Sequence, residues 1–136
     1  MNLAERRVLN DFQTNTLPAI QTRISEAAGV DIPLEVNWES LCVPGESHLY
    51  GASWTMVYFE PLIHALKTVG SDKIGLDAIN AGLKKIVVQN IAGLCYGDRW
   101  ASISDGVLTL DHEPITNVDQ VDDRIKGLVQ VLESGL

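Results

Sequence analysis

Residues 99–112 read Arg-Trp-Ala-Ser-Ile-Ser-Asp-Gly-Val-Leu-Thr-Leu-Asp-His. Two strand-like runs flank Asp105-Gly106, the pair that best tolerates the left-handed conformations of a two-residue type I′ turn. Such a turn fixes register. Ser104 then lies opposite Val107, Ile103 opposite Leu108, Ser102 opposite Thr109 and Ala101 opposite Leu110. Side chains alternate along a strand, so Ala101, Ile103, Leu108 and Leu110 share the core face. Trp100, Ser102, Ser104, Val107, Thr109 and Asp111 share the other.

Outward from this hairpin, residues 85–91 (KIVVQNI) read as a central strand, with apolar residues on both faces. Residues 32–38 alternate, with Ile32, Leu34, Val36 and Trp38 on one side, and Pro33 near the start marks a sheet edge. Helical periodicity appears in four places. Over residues 3–28 the stripe is Leu9, Phe12, Leu17, Ile20, Ile24 and Ala27, interrupted by Pro18. Residues 53–69 read as a helix kinked at Pro61, although the aromatic and β-branched content of 53–59 also suits a strand. Residues 72–83 turn Ile74, Ala78, Ile79 and Leu83 inward. Residues 118–134 carry Val118, Val121, Ile125, Leu128 and Leu132 on one face, with Asn117 placed to cap the start. Residues 40–52 read as a long loop. The order αβααβββα predicts a single α+β domain over 1–136: a two-layer sandwich whose helices cover one face of a largely antiparallel sheet. The opposite face is polar, with Glu35, Asn37, Gln89 and Thr109 among its residues.

Composition sets the limits on function. The chain has 136 residues, 46% of them hydrophobic and 21% charged, which excludes disorder. Scaling gives about 7,000 Å² of accessible surface, with about two thirds of the unfolded chain's surface buried. No apolar run is long enough to span a bilayer. The formal net charge is −8, concentrated toward the two ends. An acidic surface repels phosphate backbones and anionic lipid, so neither nucleic acid nor membrane is an expected partner. Two cysteines, Cys42 and Cys95, do not make a disulfide scaffold, and residues 1–7 (MNLAERR) lack the apolar core of a secretory leader. The expected compartment is the cytoplasm.

Few residues suggest chemistry. Glu60 and His64 stand i, i+4 on a helix, within reach of one ion, and His48 or the run Asp111-His112-Glu113 would have to complete a metal site. A surface hydrogen bond is the simpler reading of that pair, so no metal and no cofactor are expected. Cys42 would be a nucleophile only with His48 or His64 as its base. Residues 93–98 (GLCYGD) lack the lysine and the spacing of a phosphate loop. His48, Tyr50, Trp54 and Trp100 remain as binding residues, the tryptophans as partly exposed interface anchors. The expectation is a small acidic protein-binding or regulatory module without catalytic activity, joined to a protein partner or to a second copy. The alternative is a small enzyme or ligand-binding domain built on residues 42–64 with Cys42, His48, Glu60 and His64, metal-dependent in one form.

Overall fold

The computed structural model describes residues 1–136. It begins with one long helical rod, α1 (Leu3–Asp11) and α2 (Leu17–Ala28) joined by a π-helical segment at Phe12–Thr16. Strand β1 (Leu34–Val36) and a single turn, α3 (Trp38–Leu41), follow. A second rod joins α4 (Tyr50–Trp54) to α5 (Glu60–Val69) through another π-helical segment, Thr55–Phe59. Then come α6 (Lys73–Gly82), β2 (Lys85–Gln89), β3 (Ala101–Ser104), β4 (Val107–Asp111) and α7 (Val121–Gly135). The fold is α+β. Residues 53–59 are helical, and the expected loop 40–52 contains the end of α3, a 3₁₀ turn at Ser47–Leu49 and the start of α4. The strand expected over 32–38 is shorter, because Asn37 turns the chain into α3, its side chain accepting from Ser40 N at 3.3 Å.

The hairpin forms in the expected register, with φ of 53° at Asp105 and 78° at Gly106. The sheet around it is mixed. Its order is β1-β2-β4-β3, with β1–β2 and β2–β4 parallel and only β3–β4 antiparallel. The largely antiparallel meander is therefore corrected: residues 90–100 carry the chain past the slot beside β2, and the hairpin brings β4 back into it. Apolar content accounts for the choice. Leu108 and Leu110 of β4 are fully buried, whereas Ser102 and Ser104 of β3 are exposed at the edge. Ile86 and Val88 of β2 face the same core. The outward residues Lys85, Val87, Gln89, Val107 and Thr109 stay half-exposed, with no helix over them. In α6, Ile79 is buried but Ile74 is 83% exposed, so Ile74 departs from the inward reading.

Both rods accommodate their prolines by the same local device. In the second rod the N–H of Glu60 reaches back five residues to the Thr55 carbonyl. Pro61 follows and has no N–H to give. It is the donor that the Met56 carbonyl would need in the π register and the Val57 carbonyl in the α register. Arg124 of α7 supplies what is missing: Nε donates to Val57 O at 3.1 Å and Nη2 to Met56 O at 3.3 Å. The guanidinium also donates to Asn117 O at 2.7 Å and Val118 O at 2.6 Å. Arg124 is fully buried, and burial pushes its pKa down against the pull of Tyr58, Asp119 and Asp123. These bonds delay the start of α7 to Val121. Asn117, expected as its cap, adopts φ of 53° and donates instead to Cys95 O at 2.7 Å.

The loop before β3 lies directly on α7. A Cβ on Gly127 would come within 1.9 Å of the Gly97 carbonyl, and one on Gly97 within 2.5 Å of the Asp123 carbonyl. Gly127→Ala should lower stability by about 2 kcal/mol or more, since backbone has to move to admit the methyl; a urea midpoint within error of wild type would show that the loop is not docked. Arg124→Met should lose about 2–4 kcal/mol, as buried carbonyls left dry cost roughly 1–3 kcal/mol each while relief of the buried charge offsets part. Pro61→Ala in that background should recover some of the loss, read as coupling in a double-mutant cycle.

Candidate functional site

The residues expected to bind are placed differently from one another. Tyr50 and Trp54 are fully buried, their rings stacked at 4.9 Å. The Tyr50 hydroxyl donates to Val43 O at 2.6 Å and the Trp54 indole to Leu41 O at 3.2 Å. Together they hold the backbone on either side of Cys42. Trp100 is 1% exposed and donates to the carbonyl of Arg124 at 3.0 Å. The expected partial exposure of the two tryptophans is thus corrected: each indole N–H finds a backbone acceptor inside, so the whole ring can be buried. His48 alone is at the surface, 3.7 Å from the Glu46 carboxylate.

Glu60 and His64 lie 3.8 Å apart. The stronger partner of Glu60 is Arg23 of α2, which grips both carboxylate oxygens at 2.5 and 3.1 Å and holds the Glu60 pKa down. His48 does not join this pair, and no three His, Cys, Asp or Glu side chains converge in a way that could hold an ion. Cys42 has no histidine partner. Burial first, and Glu5 next, push its thiol up to about 11, so it is neutral near pH 7 rather than a thiolate nucleophile.

The carboxyl ends of the parallel strands gather the remaining polar groups. Asp111 Oδ1 accepts from Ile91 N at 3.1 Å and Ala92 N at 3.2 Å, and Oδ2 from the Gln89 amide at 3.1 Å, tying down the loop after β2. Asn90 N and Nδ2 donate to Ser40 Oγ and O at 3.0 and 3.3 Å, latching the end of β2 to α3. Beside this latch is a groove of about 360 Å³, lined by Met1, Glu5, Glu39, Ser40, Cys42 and Asn90 together with Val43 and Pro44. His48, Tyr50, Glu60 and His64 do not line it.

His112 is fully buried behind the end of β4, edge-on to Trp100 at 6.1 Å. Its Nδ1 is 2.6 Å from the Glu113 carbonyl, which can only accept, so Nδ1 carries the proton. Nε2 then meets no donor. The Tyr58 hydroxyl donates to the His112 carbonyl; burial, then Asp111, push that phenol up and keep it neutral. Arg124 and Glu5 are the functional-looking groups that motif reading passed over, whereas His112 was named only as a candidate ligand. Arg124 stands at i+3 from Val121 and i−4 from Leu128, inside the apolar stripe of its helix, and Glu5 shares a face with Leu9 and Phe12. A charge on an apolar face is the signal each left.

No protein-family model, no curated protein and no solved structure matches the chain. No helix is long and apolar enough to cross a membrane.

Burial pushes the His112 pKa below its ordinary 6.5, with Arg124 adding to the effect and Glu113 opposing it. The unfolded chain therefore takes up this proton first as pH falls. Stability from His112 is complete above about 6.5 and is lost as pH drops toward the folded pKa. Urea unfolding between about pH 7.5 and pH 5.5 should show this loss in wild type and a flatter profile in His112→Gln. Parallel profiles would mean that the ring accepts a proton in place.

Proposed function

We propose that this chain is a cytoplasmic protein-binding or regulatory module without catalytic activity, and that its partner docks on the uncovered face of the sheet. One observation carries the reading. Two of the three strand pairings are parallel, and sheets rich in parallel pairing are ordinarily covered on both faces. Here one face is bare. Val87, Val107 and Thr109 lie across its middle strands, and the ion pair between Lys85 and Glu35 neutralises its β1 edge. A neutral, partly apolar strip on a chain of net charge −8 is where close approach of another protein meets least repulsion. A second copy of the chain is one form of this partner.

The alternative, an enzyme or ligand-binding domain on residues 42–64, draws support only from the groove over Cys42. Catalysis by Cys42 has neither a base nor a thiolate behind it.

Photo-cross-linking in host cells tests the reading, with the probe at position 87 or 109 and a control at the exposed Gln130. A discrete adduct is expected at the sheet positions and not at the control. The partner, identified and purified, should bind the wild-type protein and lose roughly tenfold or more in affinity to Val87→Glu. An adduct to a second copy should disappear with the same variant, as measured by sedimentation. No adduct at 87 or 109, or equal labelling at 130, would overturn the proposal.

A further inference from the structure

The groove beside Cys42 is lined by a carboxylate that no other group of the protein pairs with. Glu5 is 5% exposed, yet its carboxylate makes no hydrogen bond or ion pair. Its position gives it an ordinary duty that it does not perform. Asn2 caps α1 by accepting from Glu5 N at 2.8 Å, and a glutamate at that place commonly reaches back to the capping residue's amide. No such bond forms here. The carboxylate instead lines the groove.

The surrounding groups define what would fit. Glu39 adds a second carboxylate, also without a hydrogen bond or ion pair, at the exposed rim. Ser40 Oγ is already committed, donating to Asn37 O and accepting from Asn90 N, and the Asn90 amide donates to Ser40 O, which leaves its Oδ1 as an acceptor. The neutral Cys42 thiol contributes one weak donor. The side chains of the groove are thus rich in acceptors and poor in donors. The α-ammonium of Met1 bears on Cys42 but forms no ion pair with a carboxylate. Two carboxylates against this one ammonium leave the lining net negative, which favours a cation over an anion. A bare metal ion would find too few ligands, since no three metal-binding side chains converge.

We infer that the groove formed by Glu5, Glu39, Cys42 and Asn90 is a binding site for a single cationic side chain, an arginine or lysine presented by a peptide. A guanidinium or ammonium brings the N–H donors that these oxygens lack, and charge-assisted hydrogen bonds to a carboxylate are stronger than neutral ones. The volume, about 360 Å³, is at the small end of ligand sites, which suits one long side chain. The chain's net charge of −8 attracts such a group from a distance. The site is separate from the sheet face, so it stands or falls independently of the partner proposed there.

The test is a titration of the ¹⁵N-labelled full chain with N-acetyl-arginine amide, with N-acetyl-lysine amide as the second cation and N-acetyl-citrulline amide as the neutral isostere. The expected result is saturable amide shifts at Glu5, Ser40, Cys42 and Asn90, and binding weaker by about tenfold for the citrulline compound. Glu5→Gln should abolish the response with its spectrum otherwise unchanged. Glu39→Gln, at an exposed position that the fold does not need, should weaken it several-fold and serves where Glu5→Gln does not fold. The inference is overturned by an absent response, by equal binding of the citrulline compound, by shifts scattered over the acidic ends of the chain, or by variants that bind like wild type.

Discussion

A helix that contains Pro61 is short of a donor, and Arg124 makes up the deficit from another helix. Its guanidinium is buried without a carboxylate to neutralise it. What makes this tolerable is the convergence of four backbone carbonyls, from Met56, Val57, Asn117 and Val118, on a single planar fork of N–H groups. The carbonyl of Arg124 itself then accepts from Trp100. One residue thereby joins the second rod, the approach to α7 and the start of β3. The two ends of the arrangement depend on each other: without Arg124 the carbonyls beside Pro61 would be dry, and without those carbonyls a buried guanidinium would be far more costly.

The rest of the sheet follows from that junction. With α7 fixed against the second rod, the loop 90–100 is held on α7 by the Gly97–Gly127 approach and by Trp100, and β3 follows at the far edge of the sheet. The tight turn at Asp105-Gly106 returns β4 to the centre, where Leu108 and Leu110 meet Ile86 and Val88. The helices are all engaged on that side. The other face is left to whatever meets the chain, while the groove at Glu5 opens at the carboxyl ends of β1 and β2, where sheets of this kind commonly place their ligands.

What was legible in the sequence was local. The hairpin could be read because the φ requirement of its turn is carried by two adjacent residues. The placement of β4 beside β2 could not, because it compares strands far apart in sequence and is decided by which is the more apolar. Periodicity located the helices, but Ile74 shows that one apolar residue in a stripe does not establish which way it faces. At the site, motif spacing favoured Glu60 with His64, whereas Arg23, from a different helix, is the partner that holds Glu60. As large aromatics Trp54 and Trp100 suit partly exposed anchors and Tyr50 a binding residue of the 40–52 stretch, but the polar tips of all three are satisfied by backbone that only the folded chain brings near. Glu5 and Arg124 were visible as charges on apolar faces, but the sequence does not say whether such a charge is answered, as Arg124 is, or left open, as Glu5 is.

The first π-helical segment acts on the rod as a phase shift. The apolar stripe steps by five residues from Phe12 to Leu17, the interval over which Leu17 N–H reaches back to the Phe12 carbonyl. One residue more or less turns a helix by about 100° around its axis. With regular α-helical winding throughout, the face bearing Glu5 and Phe12 would swing away from the face bearing Ile20 and Ile24, and both could not pack on the same core. The extra residue brings the two halves into angular agreement. The orientation of Glu5 toward the Cys42 groove is therefore set at a point two turns away, by the count of residues between two aromatic and aliphatic contacts rather than by anything at the groove itself.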